Sequence, residues 1–271
     1  MKAMLKEQVA IVTGASSGMG KATALKFASE GADVVCVDIN EEAVKETAAE
    51  IEKMGQQALA CKCDITNSEM VKAAVEACVE KFGKVDILAN FAGWGGKTDD
   101  PAKDCIERFT EDKFDALVNI NLKGAWLFTY YVTPYMKKAR SGKIVNCSSI
   151  GAIWPTASSA PYSAAKAGIL GMTLYNAREL AAYNVRVNAI VPGACQSNFF
   201  KTLLGEIPEE MEKGMYAAIA SDIPLGKMGV PEDMANGALF LVSDLSSHIT
   251  GEFLNITGGS PLAAASITVN N

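Results

Sequence analysis

Val9-Ala10-Ile11-Val12-Thr13 runs straight into Gly14-Ala15-Ser16-Ser17-Gly18-Met19-Gly20, and the architecture of the chain follows from these residues. The first five form a short apolar run of the kind that is buried on both faces of a parallel sheet. The glycine-rich turn comes next, and a helical pattern then continues to Glu30. Strand, glycine turn and helix make an arrangement that cradles phosphate. Gly14 permits the tight turn, Gly18 lets backbone approach a pyrophosphate, and Gly20 lets the helix lie close to the strand. The spacing is G-x-x-x-G-x-G rather than G-x-G-x-x-G.

Outward from this unit the same alternation repeats. Ala32 to Asp38 reads as a second strand ending in an acid, with Asp38 18 positions after Gly20. A carboxylate there can accept hydrogen bonds from both ribose hydroxyls of an adenosine, and it would repel a 2′-phosphate. Position 17 is serine and position 39 is isoleucine, so no basic side chain offsets that repulsion, which favours NAD over NADP. The competing reading of Asp38 is a cap for the helix that starts near Glu41. Helix 41–54, strand 57–62, helix 68–82 and strand 85–90 follow, and Asp64 could either cap a turn or touch an adenine amino group. The alternation predicts an α/β fold, a doubly wound parallel sheet with helices on both faces.

Further on, an asparagine inside a helical stretch, Asn121, needs a task for its side chain, and we expect it to bend the helix and hold a water. Lys143 to Ser148 reads as strand five, which delivers Ser149 at the C-terminal edge where open parallel sheets bind ligands. Tyr162 and Lys166 are four residues apart, so a helix places phenol and ammonium on one face. A cation at roughly 4 Å contributes about 4 kcal/mol at an intermediate dielectric, which would lower the tyrosine by about three pK units from ~10. Such a tyrosine exchanges protons near neutral pH, and the Ser149 hydroxyl could polarise a substrate oxygen in the same pocket.

The bulk properties set limits. The chain has 271 residues, is 49% hydrophobic and 21% charged, and carries a net charge of −6, so a basic face for nucleic acid is not expected. The N-terminus turns charged before any apolar run develops, and no stretch approaches a membrane span. These features point to a cytoplasmic protein with no membrane partner. Seven cysteines and no secretion signal suggest reduced thiols. Cys61 and Cys63 read as strand residues on one face rather than a metal site, and no metal is expected. The single histidine, His248, follows two serines in a loop and reads as surface, which disfavours a Ser-His-Asp hydrolase.

Taken in order, the T-G-x-x-x-G-x-G of Thr13 to Gly20, Asp38, Asn90-x-Ala92-Gly93, Asn121, Ser149, Tyr162-x-x-x-Lys166 and Pro192-Gly193 resemble the short-chain dehydrogenase/reductase family across roughly residues 6 to 260. The resemblance implies a Rossmann-like sheet of about seven strands in the order 3-2-1-4-5-6-7. It implies a catalytic tetrad of Asn121, Ser149, Tyr162 and Lys166. Tyr162 would be the acid/base, Ser149 would position the carbonyl, Lys166 would lower the tyrosine pKa and hold the nicotinamide ribose, and Asn121 would anchor a relay water. NAD(H) would then lie along Gly14, Ser16, Ser17, Gly18, Met19 and Gly20. It would continue past Asp38, Ile39, Asp64 and Ile65 to Asn90, Ala92 and Gly93. Tyr162, Lys166, Pro192, Gly193, Cys195 and Ser197 would complete the site. The chain departs from the family pattern at Phe91, where a second asparagine is usual, and at Cys195 and Ser197, where a branched aliphatic residue and a threonine are usual. Three extra residues fall in the loop from Gly95 to Asp104.

The implied activity is hydride transfer between NAD(H) and a secondary alcohol or ketone, of hydroxysteroid, cyclic-alcohol or 3-oxoacyl type. Trp94, Gly151, Trp154, Phe199, Phe200 and Met215 are the candidate substrate residues, chiefly apolar. The alternative from another class is a non-catalytic NAD(H)-binding sensor or scaffold. We expect one domain over 1–271 with a lid at about 194–222 and a flexible tail at about 263–271. The family also implies a homotetramer that packs the helix after Ser149 and the last strand.

Overall fold

Strand β1 (Val9–Thr13) is buried at all five positions, and its side chains divide alternately between two cores. Val9 and Ile11 face one side, while Ala10 and Val12 face the other. A strand of this kind needs a helical layer on each face. In this computed structural model, which describes residues 3–96, 106–154, 159–197, 205 and 207–260, both layers are present.

The first layer holds α1 (Gly18–Ser29), α2 (Glu41–Lys53) and α8 (Pro231–Val242), which bring Phe27, Ile51 and Met234 to one core. The second holds α3 (Ser68–Phe82), α5 (Gly124–Ala139) and α6 (Ala160–Leu180), which bring Val75, Phe128 and Leu180 to the other. Between them lie β1, β2 (Asp33–Asp38), β3 (Ala58–Lys62), β4 (Ile87–Asn90), β5 (Gly142–Cys147), β6 (Val185–Pro192) and β7 (Phe253–Ile256). All six strand pairings are parallel, in the order β3-β2-β1-β4-β5-β6-β7, as the resemblance implies. The order reverses between β1 and β4, and the crevice at that switch point is where such sheets take ligands.

Helix α4 (Glu111–Val118) passes through a π turn at Asn119–Lys123 directly into α5. At the place where a bend is expected, the helix widens into this π turn with Asn121 buried inside it. Helix α6 starts where Ser159, extended and buried, accepts a hydrogen bond from the Tyr162 amide, with Pro161 in the first turn. Helix α7 (Glu209–Ser221) buries none of its residues. Phe199, Phe200 and the tail at 263–271 lie outside the described residues. Among the described residues no helix is long and apolar enough to cross a membrane, no group of acids, cysteines and histidine could hold a metal, and six cysteines are free thiols.

Candidate active site

The glycine turn occupies the places its spacing suggests. Gly14 has φ +71°, and a Cβ added there would stand 2.9 Å from both the Cα and the N of Ala92. The ends of β1 and β4 thus touch through backbone. Thr13 fastens them, because its Oγ1 accepts hydrogen bonds from the Phe91 and Ala92 amides at 3.0 and 3.1 Å. A Cβ at Gly20 would collide with the carbonyl of Gly14, so α1 lies against its own strand end. Ser17, the residue before α1, makes no side-chain cap to the amides of the first turn.

Asp38 stands at the end of β2 and holds the turn in place. Its Oδ2 accepts from the Ser16 amide at 3.2 Å and its Oδ1 from the Asn40 amide at 3.0 Å. The helix-cap reading fails, since Asn40 caps α2 by accepting from the Ala43 amide. Asp64 caps a turn: its Oδ1 takes both the amide and the hydroxyl of Thr66.

At the other end of the crevice, the Ser149 hydroxyl accepts from the Gly151 amide at 3.1 Å and hydrogen-bonds the Tyr162 phenol. The Lys166 ammonium donates to the Cys147 carbonyl at 3.0 Å and lies 5.7 Å from the centre of the tyrosine ring. The neighbouring Ser148 donates its hydroxyl to the Lys166 carbonyl at 2.7 Å, which leaves Ser149 as the serine facing Tyr162. Burial pushes the Tyr162 phenol well above its ordinary value. The nearby Cys147 thiol adds to the rise, and the Ser149 hydrogen bond opposes it. Burial also lowers Lys166, against a smaller opposing effect of Cys147. The expectation that Lys166 brings the phenol down is thus corrected. That argument counted attraction at about 4 Å and omitted the lost hydration of both groups, and here the lost hydration dominates.

Asn121 is 2% exposed and grips one residue from both sides. Its Oδ1 accepts from the Trp94 amide at 3.1 Å, and its Nδ2 donates to the Trp94 carbonyl at 2.8 Å and the Leu117 carbonyl at 3.0 Å. The side chain holds the loop after β4. A Cβ at Gly93 would come within 2.9 Å of Asn121 Oδ1 and 3.3 Å of Lys166 Nζ.

A cavity of about 920 Å³ joins the two ends, near the top of the roughly 300–1,000 Å³ range of ligand pockets. It is lined by every catalytic candidate and by all the cofactor candidates except Asn90. Asn90 is turned into the protein, where its Nδ2 donates to Asn146 Oδ1 at 2.9 Å, and Asn146 in turn donates to Thr173 at 2.9 Å. The sequence cue, an asparagine at a strand end, does not say which face the side chain takes. Phe91, the departure beside it, is buried in the α1 core and also lines the cavity.

Of the substrate candidates, Trp94 lines the cavity, while Gly151, Trp154 and Met215 do not. Gly151 spends its amide on Ser149, and Trp154 is 55% exposed. Met215 lies one helical turn before Ile219, which does line the cavity, so the face of α7 was found but not the turn. Ala116, Ile120 and Ile150 line it too. The first two lie one turn apart, Ile120 beside Asn121 in the π turn, and that adjacency is the signal that could have found them. Met19, Ile39 and Ile65 line the cavity as well, and His248 is exposed.

A sheet with its crevice at the β1/β4 switch point, a glycine turn below it and a serine, tyrosine and lysine beside it defines a dinucleotide-dependent oxidoreductase of the single-sheet type. A family model described as enoyl-(acyl carrier protein) reductase matches residues 14–260. A 3-oxoacyl-[acyl-carrier-protein] reductase of Thermotoga maritima is 41% identical over 94% of this chain and 98% of its own. Two solved structures superpose with a TM-score of 0.84. One is a 3-ketoacyl-(acyl-carrier-protein) reductase from Brucella melitensis complexed with NADH, 36% identical over 94% of this chain and 98% of its own. The other is a 7α-hydroxysteroid dehydrogenase complexed with NADH and 7-oxo glycochenodeoxycholic acid, 34% identical over 95% and 96%. The chain belongs to the short-chain dehydrogenase/reductase family, whose members are oxidoreductases that bind a nicotinamide cofactor.

Proposed function

We propose that the protein interconverts a secondary alcohol and its ketone with NAD(H), Tyr162 moving the hydroxyl proton. The observation that carries this reading is the meeting of Ser149, Tyr162 and Lys166 in one wall of a cavity whose far end is closed by Asp38. The crowded backbone at Gly14 and Gly20 fits a group that must lie close to the strand ends. The first-turn amides of α1 would hold its phosphates and Asp38 a ribose, while Lys166 would hold the second ribose. When bound, the nicotinamide supplies or accepts the hydride at its C4. In the reductive direction the Ser149 hydroxyl donates to the ketone oxygen, and Tyr162 gives up its phenol proton to that oxygen. In the oxidative direction Tyr162 takes the proton back. Asn121 keeps Trp94 in place as a wall of the site.

NAD is preferred to NADP in this reading because Asp38 lines the ribose end with Ile39, and Lys166 is the one cation lining the cavity among the described residues. The same cavity is also lined by Trp94, Ala116, Ile120, Ile150 and Ile219, so the carbons flanking the reacting centre are taken to be apolar and uncharged. Ring-bearing ketones of the kind named for the hydroxysteroid relative are the class this apolar lining favours. A fluorescence titration with NADH and NADPH, with Asp38→Ala alongside, tests the cofactor. NADH is expected to bind at least about tenfold more tightly, with the gap closing in the variant. Tighter NADPH binding in the native protein would overturn the preference. Tyr162→Phe, assayed on cyclic ketones with NADH, is expected to lose most turnover while keeping NADH affinity. Full turnover would remove Tyr162 from the chemistry.

The same reading takes the chain as one domain with α7 as part of a lid, assembled as a homotetramer. Trp126 and Tyr130 stack at 5.4 Å on the outside of α5, and Leu174 and Tyr175 stand exposed on α6. A second copy would cover those faces. Light scattering that returned a monomer would end that part of the proposal.

A further inference from the structure

We infer that Ser148 is a positioning residue: it holds Lys166, and with it the Tyr162 turn of α6, in register with Ser149. The inference rests on the proton-transfer role assigned to Tyr162 above. Three consecutive residues at the end of β5 each take one group from a single turn of α6. The Cys147 carbonyl accepts the Lys166 ammonium, the Ser148 hydroxyl donates to the Lys166 carbonyl, and the Ser149 hydroxyl meets the Tyr162 phenol. The spacings agree. Two strand steps cover about 6.6 Å, and the four helical steps between Tyr162 and Lys166 cover about 6 Å. Strand end and helix turn are therefore commensurate, running in opposite senses, and a slip of one residue would break all three contacts.

Within this closure Ser148 has a distinct part. It is 2% exposed, and its hydroxyl hydrogen bond is to the backbone of the lysine itself. The ammonium contact to Cys147 ends a long flexible side chain and by itself leaves the helix free to shift. Ser148 fixes the main chain from which that side chain grows. Two residues earlier on the same face of β5, Asn146 donates to Thr173 at 2.9 Å, two helical turns beyond Lys166. The two bonds hold α6 at separate points along its length, and the one at Ser148 lies next to the reacting groups.

The test compares native protein, Ser148→Ala and Ser148→Thr, which keeps a hydroxyl. Turnover and KM are measured in the oxidative direction across pH, and NADH affinity by fluorescence. Loss of the tie displaces the Tyr162 turn by a fraction of an ångström to an ångström. The expected result for Ser148→Ala is a fall in kcat of roughly tenfold or more, with KM within about twofold. The phenol also loses part of the Ser149 hydrogen bond that holds it down, so the alkaline rise in oxidation rate moves to higher pH. NADH affinity stays close to native, and Ser148→Thr recovers most of the turnover. An unchanged kcat and pH profile in Ser148→Ala overturns the inference. So does a loss of activity that tracks a loss of thermal stability with the profile unmoved, or a rise in KM alone, which would place Ser148 on the substrate. If the native protein turns over no alcohol or ketone, the functional reading fails separately. Crystal structures of native protein and Ser148→Ala then decide the register: a variant that keeps both the Lys166–Cys147 and Ser149–Tyr162 hydrogen bonds overturns it.

Discussion

Gly14→Ala and Gly18→Ala are the same substitution four residues apart with unequal consequences. Both glycines have positive φ, +71° and +52°, so each alanine carries a strain of about 1–2 kcal/mol. They differ in what the new methyl meets. At Gly14 it would lie 2.9 Å from Ala92 Cα and N and 3.1 Å from the Phe91 carbonyl carbon, all backbone atoms. At Gly18 the nearest atom is Ser197 Cβ at 3.5 Å, an ordinary contact. Relief at Gly14 requires the ends of β1 and β4 to part, against the two amide hydrogen bonds accepted by Thr13. Overpacking of this kind adds about 1–3 kcal/mol, for about 2–5 kcal/mol in all. At roughly 2–4 °C per kcal/mol for a chain of this size, Gly14→Ala should lower Tm by roughly 4–20 °C and Gly18→Ala by roughly 2–8 °C. Differential scanning calorimetry measures the first quantity. An NADH titration measures the second, because parted strand ends spoil the phosphate cradle, and affinity in Gly14→Ala should fall at least about tenfold. A Gly14→Ala protein within about 2 °C of native, or a larger loss at Gly18, would refute the close approach of the two strand ends.

Other outcomes follow from the same geometry. Arg186 donates to the carbonyls of Leu241, Ser243 and Ile249 and to the Ser246 hydroxyl, closing the C-terminus of α8 at the end of β6 far from Pro192. Arg186→Met should cost about 2–4 kcal/mol and leave NADH affinity unchanged, which thermal melts and titration together would check. Because burial raises the Tyr162 phenol above its usual ~10, the deprotonated form that accepts an alcohol proton grows as pH rises through the alkaline range, whereas the protonated form used in reduction persists throughout. Oxidation rates should therefore climb with pH up to and beyond 9 while reduction stays nearly flat from about pH 6 to 9, and an oxidation optimum below neutrality would contradict this. Ile219→Glu places a carboxylate in the apolar wall and should raise KM for an apolar ketone at least about tenfold without altering NADH binding.

Much of the fold was legible because it is written in periodicity. Strand β1 opens on the apolar run 9–12, and α2 and α3 begin at Glu41 and Ser68 as read. The parts of the site that depend on backbone were legible for the same reason, since Gly14 and Gly20 are where no Cβ fits. Facing was harder. Asn90 lies at a strand end, yet its side chain goes to Asn146, because alternation fixes the face only once the strand register is known. Trp154 looked like a pocket aromatic, and its size alone could not say that it points to solvent. Ile219 was missed by one turn because a helix with no buried residue gives no pattern to fix its rotation.

Burying a tyrosine and a lysine in one wall is a poor way to stabilise a fold. Each loses hydration, and the changes run in opposite directions, the phenol upward and the ammonium downward, so burial favours the uncharged form of both. Phenylalanine and methionine would pack as well without that cost. The partners supplied are also few and specific: the Ser149 hydroxyl opposes the rise at the phenol, and the Cys147 carbonyl receives the ammonium. Their placement at the C-terminal edge of β5, beside the switch point, puts the cost where a ligand is bound rather than in the core. A pair of groups that burial makes reluctant to ionise is poised to respond to whatever charge enters the cavity. The protonated phenol is then the resting form, which makes Tyr162 ready as a donor to a ketone oxygen and slower as an acceptor from an alcohol. On this ground the rate of oxidation should depend on pH more steeply near neutrality than the rate of reduction, and the pH profiles of the two directions measure that difference.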